Sequence, residues 1–130
     1  MVKYKNDIVI YENQRLASAP VNLADLALDC GYKVNQVSEH LNISPRQLER
    51  QFLRTIGISP KYWMRLQRMI RARHLIRSGR PLKAIALDLG FTKYDKFAKE
   101  MRQFYQLSPL DMVGKERRNC YEAGAFSVPA

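Results

Sequence analysis

Residues 44–55 read SPRQLERQFLRT. Wound as a helix with Leu48 and Phe52 turned inward, this stretch leaves Arg46, Gln47, Arg50 and Arg54 on one exposed face. Arginine forks match the two major-groove acceptors of guanine, and a glutamine amide matches adenine, each good pair carrying about 1–3 kcal/mol of base discrimination. Residues near the start of such a helix reach deepest into a groove, so Arg46, Gln47 and Arg50 are the expected base readers. Glu49 lies at the margin of the face, where it either accepts from cytosine or orients a neighbouring arginine. Ser44, at the helix start, and Arg54 suit phosphate oxygens. Nothing comparable supports catalysis or metal binding. His40 and His74 are isolated in sequence, and Cys30 and Cys120 have no metal-ligand spacing. No cofactor is expected.

The same face recurs with different chemistry. In TKYDKFAKEMRQFY, starting at Thr92, Phe97 and Met101 take the inward places of Leu48 and Phe52. Asp95, Lys96, Lys99 and Gln103 then point outward, with Tyr94 near the helix start. Lys99 corresponds to Arg50. This second face is less basic, so it is expected to add position and affinity more than stringent readout. Further phosphate candidates are Lys61, Arg80, Lys83, Lys93 and Arg102.

Elements that position these faces can be traced through an internal repeat. Val37-Ser38, Leu41-Asn42-Ile43-Ser44 aligns with Ile85-Ala86, Leu89-Gly90-Phe91-Thr92, and Ser59-Pro60 aligns with Ser108-Pro109. A small residue (Ser38, Ala86) lets two helices approach. Asn42 or Gly90 accommodates a left-handed turn, and an apolar residue plugs the corner. This is a helix-turn-helix spacing, present twice. LADLALDCGY, from Leu23, shares letters with LKAIALDLGF, from Leu82, but no capped reading helix follows it, so it reads as a supporting helix.

Local signals mark the boundaries. Asn22 caps a first helix that Gly31 stops; the next helix, with Val34, Val37 and Leu41 on one face, has no convincing cap. Ser44, Pro45 and Gln47 form a capping box with proline in the first helical position. A second Ser-Pro opens a long helix to Gly79, with Trp63, Leu66, Met69, Ile70 and Ile76 in a wide apolar stripe. At about 1.5 Å per residue, that helix could space two units roughly 30 Å apart. Tyr62, Trp63, Met64 and Met69 read as core. Thr92 is expected to cap the second reading helix, with Asp95 completing a box. The expected division is an N-terminal linker or arm over 1–20, with 7–11 strand-like and 16–20 a connector. Helix-turn-helix units over 21–57 and 80–114 flank a linker helix over 58–79, and the last short helix ends near Gly114. A tail over 115–130 closes the chain and contains Cys120; Cys30 reads as core.

Composition agrees with a nucleic-acid partner. The 130 residues carry 22 Lys and Arg against 12 Asp and Glu, a net charge of +10, with 46% apolar residues, enough for a core. A solvated basic surface without a partner is the competing reading of charge alone. No apolar run approaches membrane-spanning length and no signal-peptide core is visible, so no membrane partner is expected and a reducing cytoplasm fits.

LNISPRQLERQFLRTIGISPKYW, RMIRARHLI and IALDLGFTKYDKFAKEMRQFYQLSP together resemble the DNA-binding domain of the AraC/XylS family of transcriptional regulators, over residues 21–113. The resemblance implies an all-α fold of about seven helices, homeodomain-like, with two helix-turn-helix units joined by one long helix. It implies a sequence-specific regulator bound to double-stranded DNA, with RNA polymerase as a further partner. Two unlike reading helices on one chain imply an asymmetric site and a monomer sufficient for two-groove contact. Met101 stands where the family usually has Phe, Val113 where it often has Arg, and Asn42 where it usually has Gly. An effector domain is expected to be absent from this chain, and with it any inducer pocket. DNA-repair methyltransferases that carry a similar domain use a zinc-cysteine module, for which no cysteine cluster is present; no enzyme activity is expected. The alternative is a basic protein- or RNA-interaction module without operator specificity.

Overall fold

The computed structural model describes residues 1–13 and 19–122, with side chains through Glu116. The chain divides into two units, residues 1–68 and 69–130. In chain order its elements are β1 (Val2–Lys5), β2 (Ile8–Tyr11), β3 (Val21–Asn22), α1 (Leu23–Asp29), α2 (Val34–His40), α3 (Pro45–Thr55), α4 (Pro60–Arg77), α5 (Leu82–Asp88), α6 (Tyr94–Tyr105) and α7 (Pro109–Glu122). The seven helices match the all-α expectation, to which the first unit adds a small sheet.

Short-range hydrogen bonds set the helix starts in the first unit. The Asn22 side chain accepts from the N–H groups of Ala24 and Asp25 at 3.0 and 3.3 Å. Ser44 Oγ accepts from Gln47 N at 3.1 Å while Gln47 Oε1 accepts from Ser44 N at 2.9 Å, the reciprocal box that closes two orphan donors of α3. Ser59 Oγ accepts from Tyr62 N at 3.2 Å at the start of α4. Lys33 precedes α2 without a side-chain cap. Apolar residues recurring at helical spacing then bury Leu23, Leu26 and Ala27 of α1 with Val37, Leu41, Leu48, Phe52, Trp63 and Met64. The Phe52 and Trp63 rings meet at 5.3 Å.

Residues 1–20, expected as a linker or arm, hold two strands of the packed sheet. β1 and β2 pair antiparallel with Val2 opposite Tyr11, and β2 pairs with β3 through Ile10 and Asn22. Val2, Val9 and Tyr11 enter the same core as α1 and α3. Alternation places these side chains on the inner face while Ile8 stays exposed on the outer one. Residues 16–18 of the expected connector lie outside the described residues.

In the second unit Met69, Ala72 and Ile76 of α4 are buried, as are Ile85, Ala86, Leu89, Phe91, Phe97, Ala98, Met101 and Met112. Phe91 and Phe97 stack at 5.4 Å in a tilted pair, and Tyr105 Oη donates to the Met69 carbonyl at 2.9 Å. The last helix was expected to stop near Gly114 and instead runs to Glu122. Its continuation is anchored by Glu116, which is 1% exposed and receives Arg73 Nε at 2.7 Å and Arg77 Nε at 2.5 Å. A glycine breaks a helix only weakly, by about 1 kcal/mol, so such an anchor outweighs it. Two residues of the expected α4 core, Tyr62 and Ile70, are exposed at 48% and 47%, because the stripe is wider than the surface it packs on. Cys30 is half-buried against the first core, and the Cys120 side chain lies outside the described residues.

Candidate nucleic-acid interface

The same turn precedes both α3 and α6. In the first unit Ser38 is buried, Asn42 takes a φ of 58°, and the bonds Asn42 N to Glu39 O and Ile43 N to Ser38 O both measure 3.0 Å. In the second unit Ala86 is buried, Gly90 takes a φ of 83°, and the bonds Gly90 N to Leu87 O and Phe91 N to Ala86 O again measure 3.0 Å. The repeat seen in the sequence is therefore a repeat of backbone geometry. Exposed Asn42 tolerates the left-handed region through its short polar side chain. Asn42→Ala is expected to cost about 1 kcal/mol and Asn42→Gly to be neutral or slightly stabilising, which thermal unfolding of the two variants checks.

With Leu48 and Phe52 wholly buried, α3 exposes Arg46, Gln47, Glu49, Arg50, Leu53 and Arg54. Arg46, Glu49, Arg50 and Leu53 follow one another at helical spacing and line one shallow concavity. Glu49 also borders a second depression with Val34, Pro45, Ser59, Pro60 and Lys61. It makes no ion pair with Arg46 or Arg50 among the described residues, so the three charges are displayed independently. Gln47 is differently placed: its Oε1 is engaged by the Ser44 backbone, which leaves its amide NH2 as the free end. Lys61 is exposed at the start of α4 and borders a groove with Tyr32, Lys33 and Asn35. Leu53 was not anticipated as part of this face. Its signal was available, because an apolar residue one turn beyond Arg50 and outside the Leu48–Phe52 stripe has no core to enter.

On α6 Phe97 and Met101 are wholly buried, and Asp95, Lys96, Lys99, Arg102 and Gln103 are exposed. The helix does not start at a Thr92 cap. Lys93 occupies the cap position in extended backbone, without a side-chain cap bond, and its carbonyl accepts from Lys96 N at 3.2 Å and Phe97 N at 3.5 Å. The turn before α6 holds one more residue between its apolar plug and its helix than the turn before α3, so Lys93 and not Thr92 falls in the place of Ser44. Tyr94 is half-buried, its ring edge-on to Phe97 at 5.8 Å; burial raises its phenol above the ordinary value and the Arg102 charge opposes this. Lys83 and Lys93 are exposed. Arg80 pairs with Asp88 at 2.7 Å, both partly exposed. A pair of that kind is worth at most about 1 kcal/mol, so an anion competes for the arginine.

Within the first unit the structure thus brings Ser44, Arg46, Gln47, Glu49, Arg50 and Arg54 onto one helix. Within the second it brings Tyr94, Asp95, Lys96, Lys99 and Arg102 onto another. Arg80, Lys83 and Lys93 lie on the elements leading to that helix. Among the described residues no cluster of His, Cys, Asp or Glu could hold a metal ion, and no helix is long and apolar enough to cross a membrane.

A family model described as a helix-turn-helix domain matches residues 37–114. The regulatory protein PocR of Salmonella typhimurium is 34% identical over 86 residues, which are 65% of this chain and 28% of that protein. The transcriptional regulator GbdR of Pseudomonas aeruginosa is 31% identical over 101 residues, 76% of this chain and 27% of that protein. The chain therefore spans little more than a quarter of the length of these relatives. Two solved structures share the fold. The DNA-binding domain of the global transcriptional factor AdpA, in complex with a target DNA, superposes with a TM-score of 0.65 at 21% identity, covering 75% of this chain and 91% of that one. An AraC-type regulator from Chromobacterium violaceum gives 0.62 at 23% identity, covering 71% and 86%.

Proposed function

Because the chain belongs to the AraC/XylS family of transcriptional regulators, in the part that forms their double helix-turn-helix DNA-binding domain, we propose that it binds an asymmetric operator in double-stranded DNA with α3 and α6 in successive major-groove segments. The observation that carries this reading is the outward face of α3. Arg46, Arg50 and Leu53 stand exposed on one side of a helix whose other side is wholly buried, and whose start is fixed by a capping box. Rigid mounting matters, because a bidentate arginine–guanine pair tolerates little displacement.

Roles follow from the local chemistry. Arg46 and Arg50 take guanine acceptors, Leu53 suits the methyl group of thymine, and Glu49 accepts from a cytosine amino group. Gln47 contributes through its free NH2 alone. On α6, Lys99 is the principal reader, with Lys96 beside it; Asp95 and Tyr94 flank the helix start. Ser44, Arg54, Lys61, Arg80, Lys83, Lys93 and Arg102 engage phosphates. The two faces differ in charge and in donors, so their half-sites differ and one molecule suffices for both. Successive groove segments lie roughly 34 Å apart on straight B-DNA, and any shorter span is met by bending the DNA at a cost of about 1–6 kcal/mol. RNA polymerase is the further partner that a regulator of this family would act on.

Selection from random duplexes with the purified chain tests the proposal. A bipartite motif that survives excess RNA competitor is the expected result; binding without sequence preference, or equal competition by RNA, contradicts it. Lys83→Ala is expected to weaken every duplex alike and to lower the salt slope of log K by about 0.9, the value for one lost phosphate contact. Titration of one selected and one scrambled duplex at several salt concentrations measures both effects.

A further inference from the structure

The edge of β1 carries a contact that the repeat does not explain. In an antiparallel pair, alternate residues turn their backbone groups toward the neighbour and toward the open edge. Met1 and Glu12 face each other here: Glu12 N donates to the Met1 carbonyl at 2.9 Å, and the terminal amine donates to the Glu12 carbonyl. Val2 therefore turns its N–H and C=O outward, where an unpaired edge would be left. α3 takes both. Gln51 Oε1 accepts from Val2 N at 2.9 Å, and Thr55 Oγ1 donates to Val2 O at 3.2 Å. Gln51 and Thr55 are one helical turn apart, on the flank between buried Leu48 and Phe52 and exposed Arg54. Val2 itself is 2% exposed and shares its core with Leu48 and Phe52.

We infer that this sheet is a positioning brace for the first reading helix, with Gln51 and Thr55 as the positioning residues that set its rotation and thereby its base discrimination. Hydrophobic burial is non-directional, whereas two directed bonds to one fixed backbone residue add a constraint on the rotation and axial position of the helix. The brace lies in residues 1–12, outside the stretch from 37 to 114 that the family model matches. The inference rests on the proposed DNA reading and deepens it.

The test uses the full chain. Thr55→Val, nearly isosteric, and the double variant Gln51→Leu/Thr55→Val are measured beside Thr55→Ser, which keeps the hydroxyl donor. Affinities are taken by fluorescence anisotropy on the selected duplex and on all its single-base variants, with thermal unfolding alongside. The expected result is position-specific. Discrimination at the base pairs that Arg50→Ala affects falls by about 3- to 10-fold, discrimination at those that Lys99→Ala affects is unchanged, and Thr55→Ser behaves as the parent. A uniform loss on every duplex means that the bonds only stabilise the fold, and it overturns the inference; so does unchanged discrimination. Should the double variant fail to fold, Thr55→Val alone decides between these outcomes. A parent chain without base preference at any position overturns the DNA reading itself, and the inference with it.

Discussion

Arg50→Ala is expected to yield a folded protein that no longer distinguishes one base pair of the proposed site. Arg50 is exposed in the middle of α3 and has no internal partner among the described residues. Alanine favours helix, so stability changes by no more than about 0.5 kcal/mol. On DNA the expected loss is large. A bidentate arginine–guanine contact is worth about 1–3 kcal/mol, so binding to the selected duplex weakens by roughly 5- to 150-fold. The four duplexes that differ at the contacted pair become nearly equal, while preferences elsewhere persist. Titrating those four with parent and variant measures the effect. A uniform loss across all sequences would instead make Arg50 a phosphate contact, and the base-reading role would pass to its neighbours.

Glu116→Gln has the largest expected effect on stability. The carboxylate is buried and joins α7 to α4 through Arg73 and Arg77. Burial acts to raise its pKa, but the hydrogen bonds from Arg77 and Arg73, with their charges, outweigh this and hold it below the ordinary value of 4.5. The amide keeps the shape, loses the charge and presents an NH2 group to one guanidinium. Because both arginines remain partly hydrated, the expected cost is about 2 kcal/mol rather than that of a wholly buried pair, and the unfolding midpoint is expected to fall by on the order of 10 °C at neutral pH. A group with a lowered folded pKa stabilises fully above its unfolded pKa and loses that contribution as pH falls through the folded one. The parent's advantage over the variant is therefore constant from neutral pH to about 5 and shrinks below about 4. Thermal unfolding of both proteins across that range checks the sign: an advantage that grows on acidification contradicts the ion-pair account.

The parts of this molecule legible in its sequence are those that act over a few residues. Ser44, Pro45 and Gln47 define the start of α3 because a capping box closes within one turn, and the structure forms it. Ser38–Ile43 and Ala86–Phe91 announce their turns because a small residue, a left-handed residue and an apolar plug must recur at fixed spacing. Thr92 misled for the same reason that Ser44 informed. It is a good capping residue by type, yet the second turn holds one more residue between plug and helix than the first, which puts Lys93 in the cap position.

The sheet was partly within reach. Asn6 and Asp7 both take positive φ, 51° and 63°, between two strand-like runs, and a two-residue loop of such residues is a hairpin signal. Its third strand and its two bonds to α3 join residues far apart in the chain, which no local pattern encodes. The length of α7 was hidden likewise. Gly114 looks like a stop, and the Glu116 anchor depends on arginines 39 and 43 residues earlier. On the candidate face of α3, arginine was conspicuous and Leu53 was not, because an exposed leucine is ordinary until its neighbours on the helix face are known.

Hydroxyl-radical footprinting of a selected duplex at one chain per duplex measures the central claim most directly. Two protected segments about one helical turn apart on the same face of the DNA are predicted, with Arg50→Ala weakening one and Lys99→Ala the other. A single protected segment, or two that appear only when a second chain binds, contradicts recognition of both half-sites by one molecule.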